Sequence, residues 1–143
     1  RHVEADRTMA FHDWAEKKQY LPVIDYLKTD AAEAEILTGL TDRAEAAKLL
    51  HSWGAKEVLI THNTEVLAYD GVTTYTCAIK ARNLSGRTGR GDTTFAGYIN
   101  ERLTADIPTA LRFATALVSL KMETPGPFTG TRADVDAYLK EFY

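Results

Sequence analysis

A single cysteine, Cys77, in 143 residues leaves no partner for an internal disulfide, so nothing covalent staples this chain and a reducing compartment is expected. No apolar run approaches the ~18 residues that a membrane-spanning helix requires. The opening residues Arg-His-Val-Glu-Ala-Asp do not spell a signal peptide. A cytoplasmic location with no membrane partner is the expectation. The four histidines, His2, His12, His51 and His62, stand far apart without ligand spacing, which argues against a zinc site. Basic residues do not predominate either: 17 lysines and arginines face 20 acids, a net charge of −3, so no global positive field would hold nucleic acid. Internal repeats and low-complexity tracts are also missing. What remains, 45% hydrophobic and 26% charged, is ordinary for one globular domain long enough to bury a core. The chain opens at Arg1 rather than methionine, which reads as a piece of something longer.

Along the chain, Phe11 and Trp14 fall on one side of an expected short helix. Leu21 to Leu27 reads as a short buried strand limited by Pro22. Asp30-Ala31-Ala32-Glu33 opens a helix that Gly39 is placed to end, and Asp42, with Glu45 three residues on, opens another that carries Ala46, Leu49, Leu50 and Trp53 on one face. Val58–Ile60 and Val66–Tyr69 read as strands, and Asp70-Gly71 marks a hairpin turn before the β-rich run from Val72 to Ile79. Phe95, Ala96, Ile99 and Leu103 make one helical face, Ile107 to Met122 a second helix, and Thr131 to Phe142 a last one after the break at Thr124-Pro125-Gly126-Pro127. Early alternation, then a hairpin, then helices, predicts an α/β layer architecture whose sheet is mostly parallel with an antiparallel edge.

The chemistry concentrates in Gly86-Arg87-Thr88-Gly89-Arg90-Gly91-Asp92-Thr93-Thr94. Glycines at a strand-to-helix junction let several backbone N–H groups converge on one anion, and the helix dipole adds positive potential. Asp92 is unexpected in a bare anion site. A phosphate cradle edged by a carboxylate suits phosphoryl transfer to a hydroxyl whose proton the carboxylate accepts. Three other readings compete. The glycine spacing copies a P-loop, but Asp92 stands where that loop needs lysine and would repel the ligand. Arg90-Gly91-Asp92 also spells an adhesion tripeptide, a combination common by chance. Asp92 as a simple N-cap of the next helix stays open.

Three segments resemble the ribokinase-like (PfkB) family of sugar and nucleoside kinases. Thr88-Gly89-Arg90-Gly91-Asp92-Thr93 resembles the close of its D-T-x-G-A-G-D loop, Leu27 to Gly39 its K-x-N-x-x-E-x-x-x-L-T-G element, and Val58-Leu59-Ile60-Thr61 its nucleotide-contacting strand. The resemblance implies a three-layer, mostly parallel sheet with helices on both faces, of which residues 1–143 would form the C-terminal, nucleotide-binding half. It implies ATP and Mg²⁺, with Asp92 as general base and the N–H groups of Gly89, Arg90 and Gly91 as anion hole. Glu33 and Asp30 would act through water on the metal, although Asp-x-x-Glu before a helix is also a capping box. Thr61, His62 and Thr88 would lie beside the nucleotide, and the helix around Thr115 and the turn at Pro125-Gly126 would flank its base.

Two departures stand out. Gly86 and Arg87 replace the family's leading Asp-Thr, which removes the aspartate that helps bind a monovalent cation, and Arg90 replaces a small residue. Arg87 or Arg90 would then supply the charge that a cation supplies elsewhere, unless both pair with surface acids. Because the family's acceptor pocket and lid come mainly from its N-terminal half, these 143 residues alone are expected to turn over negligibly and, with a bare sheet edge, to self-associate. The acceptor is a sugar on this reading. A nucleoside or vitamin-precursor kinase, or a non-catalytic nucleotide-binding module, are the alternatives.

Overall fold

The computed structural model describes residues 2–3, 9–10, 15–86 and 89–143. Phe11, Trp14, Arg87 and Thr88 lie outside the described residues. Two short strands, β1 (His2–Val3) and β2 (Met9–Ala10), pair antiparallel, His2 opposite Ala10. A second sheet runs in the order β3 (Tyr26–Asp30), β4 (Glu57–Thr61), β5 (Glu65–Tyr69), β6 (Thr74–Ala78). Connections of three and four residues make β4–β5 and β5–β6 antiparallel hairpins. The route from β3 to β4 passes through two helices, the connection that parallel neighbours need. The sheet is therefore mixed, with the expected antiparallel edge.

The chain divides into two compact units, Arg1–Ile60 with Tyr69–Thr74, and Thr61–Ala68 with Tyr75–Tyr143. In the first, helix α1 (Lys17–Tyr20) is short and basic. The strand expected at Leu21–Leu27 is displaced: Leu21–Val23 forms a 3₁₀ turn, and extended backbone begins only at Ile24. Pro22 explains the shift, because it has no N–H for a ladder and its fixed φ suits the first turn of a helix. Asp30 and Asp42 cap helices α2 (Ala31–Thr38) and α3 (Arg43–Ser52), and Gly39 closes α2 in the left-handed region at φ 74°. Leu21, Ala34, Ala46, Ala47, Leu50, Val58 and Ile60 form this unit's core. Trp53, expected on an apolar face, carries the ammonium groups of Lys17 and Lys18, each 5.1 Å from its ring. The β-rich run starts later than expected, at Thr74, because Asp70 Oδ1 accepts the N–H groups of Val72 and Thr73 at 2.8 Å each and holds them in the turn.

In the second unit, helices α4 (Arg90–Arg102), α5 (Ile107–Lys121) and α6 (Arg132–Phe142) pack in sequence. Asp106 caps α5, and Thr131 with Asp134 makes a capping box on α6. The α4 face differs from the expected one. Thr94, Gly97, Tyr98 and Glu101 are buried, whereas Ala96 and Leu103 are exposed. The cause is visible at both ends of that face. A Cβ on Gly97 would sit 2.7 Å from Leu117 Cδ2 and 3.6 Å from Ala114 Cα, so this face lies directly against α5 and a methyl there would require Leu117 to shift. Glu101 is buried because the Arg132 guanidinium pairs with it while lying 4.6 Å from the Phe113 ring centroid.

Candidate functional site

Gly89 turns the chain into α4 at φ 76°, ψ 10°, a conformation costly for any residue with a Cβ. The first hydrogen bond of the helix runs from Thr93 N–H to the Gly89 carbonyl at 3.1 Å, so the N–H groups of Arg90, Gly91 and Asp92 precede the intrahelical ladder. Asp92 is the third helical residue and not the N-cap, which is Gly89 and has no side chain to cap with. The Asp92 side chain is exposed, and among the described residues no hydrogen bond or ion pair engages its carboxylate. A helix start whose leading amides precede the ladder, beside a carboxylate that no described residue engages, can accept an anion and a proton side by side.

The loop is anchored at its base. Gly86 is buried, its N–H donates to the Met122 carbonyl at 2.7 Å, and the Lys121 ammonium donates to the Gly86 carbonyl at 2.8 Å. The sequence marked neither contact, since Lys121 falls inside the helix read from Ile107 to Met122. Of the other expected site residues in this unit, Thr61 is buried at the end of β4 and His62 serves the tight turn, its Nδ1 lying 3.0 Å from Thr64 Oγ1. Thr115 is fully buried, with its hydroxyl donating to the Leu111 carbonyl at 2.6 Å, so it backs a surface instead of facing one. Gly126 is exposed at φ 85° with open space around it.

A second polar cluster escaped the sequence reading altogether. Arg82 meets Glu123 through Nε at 2.8 Å and Nη2 at 2.6 Å, and the Arg82 N–H adds a third bond at 2.8 Å. The Tyr138 hydroxyl, 2.6 Å from the Lys80 carbonyl and 2.9 Å from Glu123 Oε2, shares its one proton between them. A cleft of about 450 Å³ opens here, lined by Arg82, Glu123, Thr124, Phe128 and Tyr138 among others. The guanidinium of Arg82 holds the Glu123 carboxyl below its ordinary value, and burial raises the Tyr138 phenol. Because Glu123 is depressed in the folded state, its stabilisation is present above the unfolded value of 4.5 and disappears as pH falls through the folded value. Glu123→Gln should cost about 1.5–3 kcal/mol at neutral pH and flatten the acid limb of a urea-denaturation series. An unchanged limb would show that Arg82 does not hold this carboxylate.

In the first unit, Asp30 Oδ1 accepts the Glu33 N–H at 2.8 Å and Glu33 Oε2 accepts the Asp30 N–H at 3.3 Å. The capping box is thus formed, using one oxygen of each carboxylate. Among the described residues, no group of three or more histidine, cysteine, aspartate or glutamate side chains gathers as a metal cluster, and no helix is long and apolar enough to cross a membrane.

With this geometry in view, the α/β fold with its mixed sheet is that of the ribokinase-like kinases. A pyrophosphate-dependent kinase of the ribokinase family, solved with a pyrophosphate analogue and myo-inositol, is similar at 38% identity and TM-score 0.84 over 92% of this chain and 48% of its own. The ribokinase of Arabidopsis thaliana, solved with ribose and ATP, matches at 26% identity and TM-score 0.79 over 86% of this chain and 43% of its own. A family profile described as pfkB family carbohydrate kinase matches residues 5–133, and the chain belongs to that family. A cytidine kinase of Thermococcus kodakarensis is 41% identical over 70 residues, 47% of this chain and 25% of that protein. The chain spans about half the length of the solved relatives.

Proposed function

We propose that this chain forms the donor-binding and proton-accepting portion of a kinase that phosphorylates a hydroxyl of a sugar. The observation that carries the reading is the free carboxylate of Asp92 at a helix start whose leading amides lie outside the ladder. The acceptor oxygen attacks the donor's terminal phosphorus, its proton passes to Asp92, and the bond from that phosphorus to the bridging oxygen breaks. Amides of Gly89, Arg90 and Gly91 face the charge that develops on the transferring group. Thr61, His62, Thr88 and Gly126 border the donor, with Thr115 behind them. A bound Mg²⁺ would supply positive charge to the donor's phosphates. Glu33 and Asp30 fit a role through water, since the capping box leaves the second oxygen of each outside it.

ATP is the donor on this reading. A second donor, pyrophosphate, is favoured by one specific observation: the 37–38% identical solved relatives are described as pyrophosphate-dependent, while the ribokinase solved with ATP is 26% identical. The cytidine kinase match favours a nucleoside as the alternative acceptor. Phosphorus NMR of the complete gene product, supplied with ATP or pyrophosphate and a panel of sugars, cyclitols and nucleosides, separates these cases. A new phosphomonoester is expected from one donor and a sugar. Donor binding without transfer to any acceptor would leave only a nucleotide-binding module.

A further inference from the structure

We infer that Lys121 is a positioning residue for phosphoryl transfer, a fixed buried cation that holds the base of the anion-binding loop. The inference rests on the kinase reading of that loop but uses contacts the reading does not. Lys121 ends α5, and a lysine there would ordinarily stay in solvent while complementing the helix dipole. Here it is 2% exposed, and its ammonium donates to the carbonyl of Gly86, 35 residues earlier in the chain.

Burying an ammonium is costly unless it is bonded, so the site must return something for it. The contacts around Gly86 indicate what that is. Its N–H is taken by the Met122 carbonyl at 2.7 Å, its carbonyl by Lys121, and its Cα lies so close to the end of α5 that an added Cβ would stand 1.7 Å from the Thr124 carbonyl oxygen. Three independent contacts thus fix one residue, the last described before the segment that leads to Gly89. A loop that must offer amides to a phosphate without rearranging needs its entry held rigidly. A positive charge at that entry also favours an anion over water in the loop. A lysine serving only stability could be replaced by an apolar side chain of equal length without effect on anion binding.

The test is Lys121→Met in the complete gene product, with calorimetric titration of inorganic pyrophosphate beside steady-state kinetics. Pyrophosphate affinity should fall about tenfold, the loss of one charge-assisted hydrogen bond. The kcat should fall more than the acceptor KM rises. Where the methionine variant does not fold, Lys121→Ala with added n-propylammonium supplies the atoms removed, and both affinity and turnover should recover together. Unchanged pyrophosphate affinity in Lys121→Met overturns the inference, as does recovery of thermal stability by propylammonium without recovery of affinity. If the unaltered protein transfers no phosphoryl group, the kinase reading fails by itself, while the affinity comparison still judges Lys121.

Discussion

Gly86→Ala is expected to destabilise the protein by about 3 kcal/mol, more than Gly89→Ala, although Gly89 has the unusual backbone. The new methyl carbon at position 86 would meet backbone on every near side, 1.7 Å from Thr124 O, 2.5 Å from Thr124 C and 2.7 Å from Lys121 O. Backbone cannot swing aside as a flexible side chain can. Either the loop lifts off α5, breaking the Gly86 bonds to Met122 and Lys121, or the end of α5 unwinds. At Gly89 the added carbon would find nothing within 4 Å, so the cost there is only that of a left-handed residue, about 1–2 kcal/mol. Urea denaturation of both variants gives the order directly. A smaller loss at Gly86 than at Gly89 would mean that the loop is not clamped. Donor affinity should follow the same order, because lifting Gly86 displaces the start of the anion site while a strained Gly89 keeps it in place.

The contrast between these two glycines also shows which parts of the molecule can be read from the chain itself. Short-range chemistry was legible. Asp30, Asp42 and Thr131 cap helices because each reaches a backbone N–H only three residues away. The helix from Ile107 kept its apolar spacing and its break before Pro125 for the same reason. Strands were harder. Pro22 sits where a buried apolar run looked extended, and its missing N–H moved the strand to Tyr26–Asp30.

The face of α4 was misjudged because its burial is not apolar. Thr94 bonds the Arg90 carbonyl at 2.7 Å, Glu101 is neutralised by Arg132, and Gly97 admits a neighbouring helix. None of these features registers as hydrophobic spacing. Gly86 illustrates the limit most clearly: the sequence offers it as one of three turn-forming glycines, but its meaning lies in contacts with residues 121–124. Lys121, Met122 and Thr124 are the matching half of that surface, invisible until the chain returns to it. At the candidate site the Gly89-Arg90-Gly91-Asp92 run was legible as a motif. The displacement of the N-cap to Gly89, which frees the Asp92 carboxylate, was not.

That free carboxylate is where the account is most exposed to test. Asp92→Asn keeps the size and polarity of the side chain and removes only its capacity to take a proton. A positioned general base contributes about 10²–10⁴-fold to such a reaction, and a neutral amide at a helix start leaves anion binding intact or slightly improved. The decisive measurement is therefore turnover and donor dissociation constant for Asp92→Asn and the unaltered complete gene product under identical conditions. A kcat lower by about 10³-fold is expected, with the donor dissociation constant unchanged within a few-fold. Turnover that survives the substitution within tenfold would contradict this, because the hydroxyl proton would then be leaving by another route.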